Sequence, residues 1–124
     1  MIVEANKVLL DKHSDDSFWK FCGGRVEDFE SDLKESAKRE AKEELGIGLE
    51  ILDDQPYFFY TEKEKDGAKI SVILVHFLAK RIGEILPGKD IVEWKWIDCE
   101  NLDKESLAPN IKPVLEHFGY LNKK

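Results

Sequence analysis

The stretch from Gly23 to Ile47, GGRVEDFESDLKESAKREAKEELGI, constrains this chain more than any other. Leu33, Ala37, Ala41 and Leu45 recur every four residues. That spacing predicts a helix with one slim apolar row, fit to pack closely under a sheet. At about 100° per residue, Glu40, Glu43 and Glu44 fall together within an arc of about 100° beside that row. Ser31 or Asp32 is the expected N-cap, with Glu35 as capping-box partner to Asp32, and Gly46 predicts the stop.

Gathering three carboxylates there opposes folding. Like charges three and four apart cost roughly 0.2–0.5 kcal/mol each, and the last turns are where the helix dipole disfavours negative charge. A hard divalent cation removes the conflict, because Mg2+ and Mn2+ take carboxylate oxygens. A solvated acidic face is the plainer alternative in a chain that is 36% charged. The segment before the helix adds a second constraint. Phe18-Trp19-Lys20-Phe21-Cys22 alternates like a half-buried strand and runs into Gly23-Gly24. A loop of that kind presents bare carbonyls and amides to an ion or a phosphate.

Strand, glycine loop, acidic loop, glutamate-bearing helix and glycine stop together resemble the Nudix hydrolase signature, Gly-x5-Glu-x7-Arg-Glu-U-x-Glu-Glu-x-Gly-U, where U is a bulky aliphatic residue. Gly24 and Glu30 match its front; Arg39-Glu40, Glu43-Glu44, Gly46 and Ile47 match its back. The sequence departs from the pattern at four points. Eight residues separate Glu30 from Arg39 where the pattern has seven. Ala41 stands for a larger aliphatic residue, Phe29 for a frequent Gly, and Cys22 for a frequent Pro.

The resemblance implies an α+β fold, an α/β/α sandwich with a mixed β-sheet between helices. It also implies metal-dependent hydrolysis of a diphosphate linkage in a nucleoside diphosphate joined to another moiety, with Mg2+ or Mn2+ as cofactor. Glu40, Glu43 and Glu44 are then the metal ligands, with the backbone carbonyl of Gly23 as a further one. Arg39 orients a neighbouring carboxylate, Glu40 or Glu44. Glu43 is the first candidate to activate water and Glu93 the second, with Asp90 as the alternative to Glu93. Gly24 and Arg25 in the loop, and Asn110 at the start of a last helix, are candidate substrate contacts; Asn110 could equally serve as a helix start. The extra residue near Ser31 bears on whether Glu30 takes part.

The rest of the chain fits a small soluble enzyme. Its 124 residues are expected to form a single domain, residues 1–124, with a core of its own. A net charge of −7 disfavours binding to duplex nucleic acid and suits a small anionic substrate carried on metal. No apolar run approaches the length of a membrane span, and Cys22 and Cys99 read as reduced thiols, so a cytoplasmic protein is expected. Met1–Lys12 reads as a strand broken by a turn at Asn6-Lys7. His13 to Ser17 reads as a polar loop in which His13 faces solvent. Leu49–Thr61 reads as a strand interrupted or bent at Pro56. Asp66-Gly67 marks a hairpin. Ile70–Ala79 reads as a central strand, Ile91–Ile97 as another, and Pro109 opens a helix that Gly119 ends.

Two other functional classes share these features. A Nudix-fold module that binds a nucleotide without cleaving it would carry a broken Arg-Glu-x-x-Glu-Glu set, whereas this one is whole. An isopentenyl diphosphate isomerase type would need a Cys-His setting that the chain does not display. Substrate class stays open among nucleoside triphosphates, ADP-ribose or sugar nucleotides, and dinucleoside polyphosphates.

Overall fold

The computed structural model describes residues 1–13, 17–22, 32–53 and 55–121. Among these residues, eight strands and two α-helices run in the order β1 (Val3–Glu4), β2 (Lys7–His13), β3 (Lys20–Phe21), α1 (Leu33–Leu45), β4 (Gly48–Ile51), β5 (Tyr57–Lys65), β6 (Ala68–His76), β7 (Ala79–Ile82), β8 (Ile91–Asp98) and α2 (Ile111–His117). A 3-10 turn, Cys99–Lys104, leads out of β8.

β2 is the organising strand. It pairs antiparallel with β1, β3 and β8. The turn from β1 is built on Ala5 and Asn6, whose φ values of 49° and 61° give the twist that a two-residue hairpin needs. β4 pairs with β7, and a parallel bridge from Ile2 to Ala79 ties that pair to the β1 end, making the strand arrangement mixed. Side chains alternate along β2. Val8 and Leu10 enter a core with Trp19, Phe21, Ile97, Ile111, Val114 and Leu115, under α2. Leu9 points the other way, into a core with Ala41, Leu45, Ile47 and Ile91, under α1. The result is the expected sandwich, with helices on both faces of the sheet.

α1 follows its sequence closely. Asp32 is the N-cap, its Oδ1 accepting from the backbone N–H of Lys34 at 3.1 Å and of Glu35 at 3.2 Å. Ala41 and Leu45 are buried on the apolar row; sealing Leu45 alone contributes about 2 kcal/mol. Gly46 ends the helix in the left-handed region at φ 68° and donates to Lys42 O.

Of the two forms expected for Leu49–Thr61, the interrupted one is found: β4 joins β7, while β5 joins β6. One strand expectation does not hold: Ile70–Ala79 is not a central strand. Among the described residues, β6 pairs only with β5, as a two-stranded ribbon on the Asp66-Gly67 turn, and Phe58, Tyr60 and Ile73 are more than half exposed on it. A continuous β-branched run fits either a buried strand or a ribbon that shows both faces to water, and periodicity cannot separate them.

Candidate functional site

α1 forms where the spacing predicts, and the three acids on it have distinct surroundings. Arg39 Nη2 donates to Glu40 Oε1 at 3.3 Å, and Arg39 Nη1 lies 3.7 Å from Glu43 Oε1. The guanidinium thus bridges two of the acids, which fits its planar fork. Of the two partners expected for it, Glu40 is found; the bridge runs on to Glu43. The Glu40 and Glu44 side chains are mostly covered, 16% and 17% exposed, whereas that of Glu43 is 58% exposed.

Glu44 turns toward the sheet. His13 Nε2 is 3.3 Å from its Oε1, and the Cys22 thiol lies within 4.8 Å of its carboxylate. His13 is therefore the last residue of β2, set against the acidic helix, and not the solvent-facing loop residue that the sequence suggested. Asp11, two residues earlier on the same face of β2, is fully buried. Asp11, Cys22 and Glu44 bring one ligand atom each to within 4.8 Å of one another. Burial, then Glu44 and Asp11, push the Cys22 thiol far above its ordinary pKa. No sequence spacing announces this group: residues 11, 22 and 44 meet only because β3 pairs with β2 and α1 lies across them.

The end of α1 is clamped by the loop before β8. Leu86 N–H donates to Leu45 O at 2.7 Å and Gly88 N–H to Glu44 O at 2.8 Å. These bonds satisfy carbonyls that a helix end leaves open. Asp90 is exposed in the turn that follows Gly88.

Glu93 does not join the helix acids. Its cross-strand partner is Lys12, and Lys12 and Lys95 both place their ammonium groups over Trp19, on the α2 side of the sheet. Directly paired residues share a face, so Glu93 lies across the sheet from Glu44. A bulge between Lys12 and His13 returns Ile91 to the α1 side, opposite His13. Asn110 also departs from its expected role. It stands at the head of α2 but makes no side-chain cap; its Nδ2 lies 2.8 Å from His76 Nε2, and the residue is 7% exposed. Gly23, Gly24, Arg25 and Glu30 lie outside the described residues.

Behind Cys22 lies a cavity of about 30 Å³ lined by Phe21, Ala37, Ala41 and His76 among others. That is room for a water or two, far below the several hundred Å³ of a ligand pocket. Among the described residues, no helix is long and apolar enough to cross a membrane.

Comparison with known proteins agrees with this architecture. A NUDIX domain profile matches residues 1–118. The nucleoside triphosphatase NudI of Escherichia coli O139:H28 is 26% identical over 125 residues, covering 91% of this chain and 88% of its own. An Ap4A hydrolase from C. elegans is similar in structure, with a TM-score of 0.69 at 27% identity, covering 90% of this chain and 82% of its own. A NUDIX-family hydrolase from Clostridium perfringens has a TM-score of 0.72 at 22% identity, covering 94% and 89%, and speaks to the fold alone. With the glutamate helix, its arginine bridge and the sandwich around them, this chain belongs to the NUDIX family and is a pyrophosphohydrolase of that family.

Proposed function

We propose that this enzyme hydrolyses a diphosphate linkage in a nucleotide with the help of Mg2+ or Mn2+, and that its substrate is a nucleoside triphosphate or a dinucleoside polyphosphate. The observation that carries the reading is the graded exposure of three carboxylates on one face of α1, two of them joined through Arg39. An all-carboxylate donor set suits a hard cation. Glu40 and Glu44, mostly covered, are the ligands, together with the Gly23 carbonyl; Glu43 completes the set at the water-facing edge. When bound, the metal neutralises the diphosphate and acidifies a water.

The chain's own groups do the rest. Arg39 fixes Glu40 and Glu43 relative to each other, so little motion is needed when charge develops. Glu43, the most exposed of the three, takes the proton of the attacking water. Asp90 is the second candidate, in the turn between the Gly88 clamp and the strand end that faces His13. Gly24 and Arg25 meet the phosphates. The two named activities among the relatives support the choice of substrate: one is a nucleoside triphosphatase and the other an Ap4A hydrolase.

The test is phosphate-product release from nucleoside triphosphates, dinucleoside polyphosphates, ADP-ribose and sugar nucleotides, with and without Mg2+. Metal-dependent cleavage of the first two classes is the expected result. Nucleotide binding without any cleavage would replace this reading with a non-hydrolysing module. A general base is worth about 10²–10⁴ in rate, so Glu43→Gln should lower turnover by at least about a hundredfold with the fold intact. Near-normal turnover in that variant overturns the assignment of Glu43.

A further inference from the structure

On the sheet beneath α1, a core position is held by an acid. β2 alternates Leu9 and Asp11 onto the α1 side; Leu9 packs there, and Asp11 is 0% exposed. β3 pairs Asp11 with Lys20 and Leu10 with Phe21, which brings Cys22, one residue further on, diagonally beside Asp11 on the same face. Glu44 descends from α1 and His13 closes the rim. Two strands and a helix thus focus two carboxylates and a thiol on one point, with an imidazole beside Glu44.

We propose that Asp11, Cys22 and Glu44, with His13 at the rim, form a site for a thiophilic divalent cation of the Zn2+ class, different in ligand type from the all-carboxylate set of α1. The ligand atoms of Asp11, Cys22 and Glu44 already lie within 4.8 Å of one another. A tetrahedral ion with bonds of about 2.0–2.3 Å needs separations of about 3.3–3.8 Å, so closing on the ion takes a shift of about 1 Å. Sulfur with imidazole and carboxylate is a borderline-soft donor set, which Zn2+ accepts and Mg2+ does not prefer.

The thiol must lose its proton on binding: the Cys22 S–H bond breaks, an S–metal bond forms, and one proton passes to water. Because that proton is released on binding, affinity for the ion rises with pH. The site shares Glu44 with the hydrolytic set. Occupation withdraws that ligand, so Zn2+ inhibits turnover in competition with Mg2+; this consequence rests on the function proposed above, whereas occupancy itself does not.

Titration of the whole chain with Co2+, under a thiol-free reductant and without substrate, reads the site directly. A near-ultraviolet sulfur-to-cobalt charge-transfer band that saturates at one equivalent is expected. Cys22→Ser should abolish it. Cys99→Ser should keep it, because that thiol lies in the α2-side core. Asp11→Asn should weaken Co2+ affinity by about tenfold or more. Absence of the band at excess Co2+, or its survival in Cys22→Ser, overturns the site. In the unsubstituted chain, Zn2+ should also slow alkylation of Cys22, and equal rates with and without Zn2+ overturn it too. Failure of these readouts leaves Mg2+-dependent hydrolysis standing, while a normal band in a chain that cleaves nothing defeats only the hydrolase reading.

Discussion

Asn110 begins α2 where a side chain ordinarily caps the helix, yet its amide reaches inward to His76. On the other side of that ring, Nδ1 donates to Tyr57 O at 3.2 Å, leaving Nε2 to accept from Asn110. His76 is thereby a neutral imidazole with its proton on Nδ1. Removing the amide leaves Nε2 buried without a donor, so Asn110→Ala should cost about 1–3 kcal/mol, read as a lower denaturation midpoint. Burial chiefly lowers the His76 pKa to about 4. The unfolded chain, with an ordinary histidine near 6.5, binds the proton more readily between those values. Stability is therefore whole above about pH 6.5 and drains as pH falls from there toward 4, by about 3 kcal/mol in all. Urea midpoints measured across that window should show the loss in the native chain and much less of it in His76→Gln; equal slopes in both would refute the role given to His76.

At the scale of elements, α1 and its clamp act together. A methyl group added at Gly88 would sit 2.6 Å from Glu43 O, closer than side-chain carbons come to backbone. Either the loop or the last turn of α1 must yield, and Glu43 and Glu44 ride on that turn. Gly88→Ala should lower stability by about 1–3 kcal/mol and raise the Mg2+ concentration needed for half-maximal activity. Thermal unfolding and a metal titration check the two parts separately. α1 was legible in the sequence because everything that makes it is local: the Asp32 cap, the four-residue apolar row, the Gly46 stop. The Asp66-Gly67 hairpin was legible for the same reason. What stayed hidden depends on distant partners. His13 read as loop because only the pairing with β8 extends β2 to it. Glu93 falls on the α2 side because β8 sets it opposite Lys12 of β2, a register that no local pattern reports. The ribbon read as core because apolar pattern reports composition, not cover.

Taken whole, the molecule separates its chemistry from much of its packing. The sheet divides two cores: the α2 side gathers Trp19, Phe21, Ile111 and Leu115, and the α1 side carries Asp11, His13, Cys22 and Glu44 above Leu9 and Ala41. Net charge of −7 adds a general repulsion to the local one among the helix acids. A divalent cation that binds only the folded chain should stabilise it by about 2.7 kcal/mol at a hundredfold excess over its dissociation constant. A rise in unfolding temperature with Mg2+ is therefore expected, and a much smaller one in Glu44→Gln; identical rises would place the ion elsewhere.

The β5–β6 ribbon carries a consequence for motion. Two strands alone are marginal in water, and the outer half of this pair has little beneath it. Its root is different: Tyr57 stacks on His117 at 4.4 Å, and its partner His76 is held by Asn110. Opening can start at the Asp66-Gly67 tip and run inward until it meets that root, with no need for the rest of the chain to come apart. Backbone amides of residues 61–72 should thus trade hydrogen for deuterium early, and those of β2 only when the entire molecule unfolds.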